Sequence, residues 1–391
     1  MNFARTRPDW SAIAFAVATA YLVFLAAMFA GGFWLRDGTG AIIANDFIDV
    51  YAAGALANAG HAAWAYDWHA HHVAEIAVAG HAFPGYYGWH YPPQFLFVAS
   101  LLARLPYFVS FGLWVLATLP LYMSVLARIA NNSKAWLFAF AFPAVLLDVY
   151  VGQNGFVSAA LIGAVLLTLE KEPIASGVFL GLLAYKPQFG ILFPFVLIAT
   201  GQWRAIVSAA FTIMFLAVVS TLAFGPQIWM AFLHSVPITT QMVLADGRAG
   251  WNKLQSVYGF VRWFGGLDGA AWGAQIAMML GAVAALIALW RSNVPFAVKS
   301  AALTAATMLA TPYCYIYDFP VLAIALAFLW RDRPLDRFER GGVAFICFCV
   351  AGFVVFGTPV ALAGTLITAA LVARRVAESL AAARDVAPQR A

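Results

Sequence analysis

Charged side chains are scarce in this chain of 391 residues. Lys and Arg number 22 and Asp and Glu 17, 10% of the whole, where an ordinary soluble domain carries about 25%. That scarcity excludes a soluble globular protein, because 64% of the residues are hydrophobic and one core could not hide them all from water. Nucleic-acid binding and a free secreted enzyme go with it. Cysteine is scarce too. Three of them cannot build a disulfide framework. Cys347 and Cys349, two apart in an apolar run, point in different directions and read as core packing.

What the sequence does contain is one apolar run after another, many near the roughly 20 residues that cross a bilayer as a helix. They fall at residues 11–34, 107–128, 135–151, 154–169, 173–185, 187–200, 204–224, 268–290, 296–311, 314–330, 341–357 and 359–373. The chain reads as an all-α polytopic membrane protein, a single integral membrane domain over 1–391 with twelve spans. Several runs are short, as suits helices that are tilted, broken or packed among neighbours. Residues 11–34 are too long for a cleavable signal and lack its small-residue cleavage site, so they read as a retained first span.

Residues 92–106 decide the parity of everything after them. If they span, 7 Lys and Arg face the cytoplasm and 15 face outward; if they lie on the outer surface, the balance is 16 to 6. Positive charge collects inside, so the segment reads as interfacial, and about 15 residues suit that better than a full crossing. Both termini are then cytoplasmic, the latter in a tail over 374–391. Two long outer loops remain, 35–106 and 225–267, and they hold all seven histidines. Loops of that length usually have a purpose of their own, so the chemistry is expected outside. The net charge of +5 reports topology, not a ligand.

In the first loop, Asn45-Asp46 can cap a helix that Gly60 ends. Asp46 and Asp49 share a face of it, with Tyr51 nearby. Asp46 reads either as a cap and solvated acid or as a general base, roles that do not exclude each other. His69, His71 and His72 match no compact zinc spacing, and they read as solvated or interfacial, with no metal site. The aromatics from Trp64 to Tyr91, with His90 among them, fit an interfacial belt and also suit sugar rings or prenyl chains.

Polar breaks between apolar runs carry more. Gly152-Gln153-Asn154 and Lys186-Pro187-Gln188 both fall at the outer boundary. Lys186 reads as a snorkelling lysine or as the partner of an anion, a lipid phosphate or a carboxylate such as Asp148 or Asp46. Arg248, Asn252, Lys253 and Gln255 form a polar, cationic group in the second loop suited to phosphate or sugar hydroxyls. Tyr313, Tyr315, Tyr317 and Asp318 cluster at the outer end of a helical hairpin.

Taken in order, Asp46-Phe47, Tyr51-Ala52-Ala53, Tyr91-Pro92-Pro93, Gly152-Gln153, Lys186-Pro187 and Asn252 to Ser256 resemble the membrane glycosyltransferases of family 87 over about residues 44–320. That family includes polyprenyl-phosphate-mannose-dependent α-mannosyltransferases. The resemblance implies a GT-C-like architecture of about 12 transmembrane helices, two juxtamembrane helices in the first outer loop, and an active site at the outer face of the bacterial cytoplasmic membrane. It implies Asp46 as catalytic base and a polyprenyl-phosphate sugar as donor, which fits a chain with no Gly-rich phosphate loop. Lys186 matches the family lysine. Tyr317 and Asp318 stand where many relatives carry paired histidines, so a role resting on those histidines does not carry over.

The expected reaction is inverting transfer of mannose or a similar hexose to a lipid or glycan acceptor. Asp46 takes the acceptor proton; Lys186 first, then Arg248 and Lys253, face the donor phosphate. Asn252, Gln255, Gln153, Asn154 and Tyr91 complete the donor site, with Asp49, Tyr51, His90, Tyr317 and Asp318 as helpers. The scheme requires no metal or other cofactor. A secondary transporter is the competing reading, but no internal repeat shows and the ionisable residues gather at one face rather than mid-bilayer. A non-catalytic component of envelope polysaccharide assembly is a third.

Overall fold

A computed structural model describes residues 10–386. Among them every regular element is helical, and β-pairing is confined to three isolated bridges. The reason is the solvent. In hydrocarbon each backbone N–H and C=O must be satisfied within its own segment, which a helix does.

The first span is α1 (Trp10–Ala30), which buries only Ala14 and Ala18. The first outer loop then folds into α2 (Phe47–Asn58), α3 (Trp68–Ala79) and α4 (Leu96–Leu102), the last preceded by a 3-10 turn over Pro93–Phe95. Sequence reasoning expected two helices here. The third is α3, where Asp67 caps the start by accepting from Ala70 N–H at 2.8 Å and Gly80, at φ +78°, ends it. The apolar helix Pro93–Leu102 has 10 residues and so is about 15 Å long, half the hydrocarbon thickness. It packs across α2. A Cβ on Gly54 would lie 2.0 Å from the Ala99 carbonyl oxygen, so only glycine allows this approach. Asn58 Nδ2 and Tyr51 Oη donate to the Ser100 and Leu105 carbonyls at 2.9 and 2.7 Å.

The chain re-enters the bundle where α2 began. Tyr107, first residue of α5 (Tyr107–Ala130), donates its hydroxyl to Asn45 Oδ1 at 3.1 Å. The two ends of the segment 45–107 therefore meet. Next come α6 (Ala135–Ala141) and α7 (Pro143–Val151), one pass broken by Pro143. They lead to α8 (Gly155–Thr168), α9 (Pro173–Leu183), α10 (Phe193–Ala199) and α11 (Trp203–Phe224).

The second outer loop is also largely helical: α12 (Gln227–Thr239), a π-helical extension over Thr240–Ala245, and α13 (Val257–Trp263). Residues Gln227–Ala245 are long and apolar enough to cross a membrane. Sequence reasoning expected the same stretch in an outer loop, and it contacts the first loop and the turn around Tyr313. Phe232 packs edge-on to Tyr66 at 5.7 Å, Thr239 meets His90 at 3.1 Å, and Thr240 accepts from the Tyr313 hydroxyl at 2.9 Å.

The chain finishes with α14 (Asp268–Trp290), α15 (Phe296–Ala310), α16 (Pro320–Asp332), α17 (Arg337–Phe356) and α18 (Ala361–Val386). Every residue of α16 from Pro320 to Leu329 is buried, and so is nearly all of α15 after Ser300; these two form the middle of the bundle. The far end is basic. Arg331 donates to the Ile129 carbonyl, and buried Arg375 bonds both oxygens of buried Glu339 and reaches Asp332. The expected tail over 374–391 is helix as far as Val386, continuous with the last span; its last five residues lie outside those described.

Candidate active site

Asp46 precedes α2 but does not cap it. Asn45 does part of that work, accepting the Phe47 N–H on Oδ1 at 3.1 Å, while the Asp46 side chain makes no cap bond. Its carboxylate is left for another partner. Gln153 Nε2 donates to Asp46 Oδ2 at 3.3 Å. Gln153 is itself held from three sides. Its Oε1 accepts from the Tyr91 hydroxyl at 3.0 Å and from Asn154 N–H at 3.3 Å, and its carbonyl accepts the Trp114 indole N–H at 3.1 Å. Gly152, at φ +72°, ends α7 and delivers this amide to the carboxylate.

Burial pushes the Asp46 carboxyl up to about 6, against the Gln153 bond and the field of Lys253, with Asp49 adding a further upward push. A group titrating there is ionised at neutral pH and still basic enough to accept a proton.

Lys186 is not open to the loop. It is buried, with its ammonium donating to Asp318 Oδ1 at 2.5 Å and to Asn154 Oδ1 at 2.9 Å. Its carboxylate partner is thus Asp318, not Asp148 or Asp46. The charge expected to face a donor phosphate already faces an acid. Asp318 Oδ2 accepts Tyr315 N–H at 3.0 Å, closing a short turn over which Tyr315 and Tyr317 stack with centroids 5.3 Å apart.

The second loop docks onto that turn. Leu254 forms an isolated bridge with Tyr315, Gln255 N–H donates to the Cys314 carbonyl at 2.7 Å, and the Ser256 hydroxyl donates to the Pro312 carbonyl at 2.8 Å while capping α13. Lys253 is thereby set beside Tyr315. It is exposed and makes no ion pair with any described residue. Arg248 differs, being 62% exposed and 3.5 Å from Asp246. Asn252 and Gln255, expected to meet sugar hydroxyls, bond backbone instead: Asn252 Nδ2 donates to the Gly357 carbonyl, and Gln255 bonds Asn252 and Ala361.

Asp46, Gln153, Tyr91, Asn154, Tyr317, Asp318 and Lys253 are thus brought together through direct contacts or one another's fields. The remaining helpers are not. Tyr51 is tied to the Leu105 carbonyl, and His90 is exposed beside Thr239 and Trp68. Asp49 is buried against α3, its Oδ1 3.2 Å from His71 Nε2. Here the reading of the histidines as solvated is corrected for His71, which is fully buried with Glu75. The i, i+4 spacing of His71 and Glu75 put both on one face, and it was the available signal. Tyr107 was also missed as a residue that fixes Asn45.

Among known proteins, residues 89–312 match the model of glycosyltransferase family 87. No curated protein and no solved structure matches the chain. The matched region takes in Tyr91, Gln153, Lys186 and Lys253, while Asp46 lies before it and Asp318 after. With more than half of its length matched, in a polytopic helical bundle, the chain belongs to glycosyltransferase family 87.

Proposed function

We propose that this glycosyltransferase moves mannose or a similar hexose from a polyprenyl-phosphate donor to a lipid or glycan acceptor, with inversion, at the outer face of the bacterial cytoplasmic membrane. The observation that carries the reading is Asp46: a partly exposed carboxylate, oriented by Gln153 and titrating near neutrality, at the end of the bundle opposite the basic cluster. The sequence count of 16 Lys and Arg against 6 supports a cytoplasmic placement for the basic end.

In this reading Asp46 accepts the proton of the acceptor hydroxyl as its oxygen attacks the anomeric carbon. The bond to the phosphate oxygen breaks, and the polyprenyl phosphate leaves as an anion. A phosphate needs no strong acid to depart, but it needs its growing charge met. Lys253 is placed to do this, being an unpaired cation whose field reaches Asp46, and Arg248 lies five residues before it on the same loop. One preorganised charge of this kind is worth roughly 10²–10³ in rate. The stacked Tyr315 and Tyr317, both partly exposed, offer aromatic surface to the sugar.

The test is to incubate purified protein with a panel of polyprenyl-phosphate sugars and membrane extract, following prenyl phosphate release and the glycosylated product. Asp46→Asn is expected to lose about 10²–10⁴ of that activity while still binding donor. A fully active Asp46→Asn would remove Asp46 as the base.

A further inference from the structure

Lys186 carries a charge at the site but is only 5% exposed, in the turn between α9 and α10. Its donors go to Asp318 Oδ1 at 2.5 Å and Asn154 Oδ1 at 2.9 Å, and its ammonium lies 5.1 Å from the centre of the Tyr317 ring. The groups that feel its charge, Asp148, Cys314 and Asp318, are all buried. The cation whose field reaches Asp46 is instead Lys253. For Lys186 to turn toward a donor phosphate it would have to leave the buried Asp318 carboxylate without a cation, which is strongly unfavourable.

We infer that Lys186 and Asp318 act as one buried pair that positions the reacting groups and does not touch the donor. This rests on the reading of Asp46 as base and Lys253 as the phosphate cation. One arm runs through Asn154, whose neighbour Gln153 holds Asp46. The other runs through Asp318 Oδ2 to Tyr315 N–H at 3.0 Å, and from Tyr315 to Leu254, next to Lys253. The two arms also touch directly. A Cβ on Gly155 would lie 1.8 Å from the Tyr317 carbonyl oxygen, so the two turns are packed against each other. The pair therefore fixes the distance between the base and the cation, a distance that must match the separation of acceptor hydroxyl and leaving phosphate. Near-attack placement of this kind is where misplacement by about 1 Å can cost on the order of 100-fold in rate.

Three variants test this: Lys186→Met, Asp318→Asn, and the double variant, which leaves no buried charge unpaired. A positioning pair predicts that Lys186→Met lowers kcat at least about tenfold with donor KM held within about threefold. It predicts that the double variant is no worse than Lys186→Met, because the two residues act as a unit. It also predicts that the acid limb of the pH–rate profile, set by Asp46, moves upward as Gln153 loses its support. A lysine that binds the donor phosphate gives the opposite pattern. Donor KM rises about tenfold or more in Lys186→Met, Asp318→Asn stays active, and the acid limb stays put. That result overturns the inference. Should the native protein transfer no sugar from any polyprenyl phosphate, the functional reading fails by itself. The pair is then read by hydrogen exchange. Joint loss of protection at the amides of Asn154–Phe156 and of Tyr315 in the double variant supports it, and unchanged protection overturns it.

Discussion

Gln153 reaches Asp46 across 107 residues of sequence, its side-chain amide donating to Oδ2 at 3.3 Å. The bond joins the turn after α7 to the start of the first outer loop. It also has a chemical effect, since a hydrogen bond to the charged form of an acid favours that form. Burial alone would carry Asp46 higher than about 6, and Gln153 is the largest of the opposing influences.

The pH profile follows from this. Asp46 works as a base only when ionised, so kcat/KM for transfer should rise with pH through about 6 and level off above it. Gln153→Leu removes the bond that favours the carboxylate, and the Asp46 pKa rises further. The acid limb should shift to higher pH and activity at neutral pH should fall. Initial rates from about pH 5 to about pH 8.5 read this directly. A limb that stays in place would mean that another group sets it.

Lys253 and Arg248 were alike in the sequence, two cations five residues apart. The structure separates them, because Arg248 is paired at the surface with Asp246 and Lys253 makes no ion pair with any described residue. Lys253→Met should therefore lower kcat/KM by roughly 10²–10³, and Lys253→Arg should recover part of the loss. Arg248→Met should change it less than about threefold, in keeping with the small worth of exposed pairs. Equal losses at both positions would place the phosphate between them.

How much of this was legible depends on range. The apolar runs named helices, because hydrocarbon leaves helix as the only local solution, although six of the described helices rather than twelve are long and apolar enough to cross. The polar breaks at Gln153 and Lys186 were visible because each interrupts an apolar run. Their partners were not. Lys186 joins Asp318 over 132 residues, and nothing local to either residue says which of several acids it meets. The reach of Asn252 to Gly357 is hidden for the same reason. His71 was misread because histidines in a polar stretch look solvated until the helix period is applied, and only then do His71 and Glu75 turn inward together.

Gly54 gives a test of the loop architecture that substitutes none of the reacting groups. Its missing Cβ would stand 2.0 Å from the Ala99 carbonyl oxygen, a backbone atom that cannot rotate aside. Gly54→Ala should force α4 off α2, at the roughly 1–3 kcal/mol typical of overpacking. A lower Tm in detergent is expected, along with reduced transfer, since α2 begins at Asp46. Gly269→Ala is the control, because its Cβ would meet nothing within 4 Å. It should leave Tm unchanged or raise it.

The buried acid of α3 makes the last prediction. Burial first, and then the neighbouring Asp49, push the Glu75 carboxyl up to about 9, against the bond it accepts from Tyr87 N–H. The groups facing it are Asp49, His71, His72, Tyr86 and Tyr87. An acid whose folded pKa lies above its ordinary 4.5 holds a proton that the unfolded chain releases. Its contribution is therefore most favourable below about 4.5 and declines steadily as pH rises toward about 9. Tm measured across that window should fall with pH on this account. Glu75→Gln keeps a neutral group that can still accept from Tyr87, so it should flatten the slope and be at least as stable as the native protein near pH 8. A Tm that climbs with pH, or a Glu75→Gln variant that melts early at pH 8, would show that Glu75 is ionised and that an imidazolium at His71 or His72 balances it.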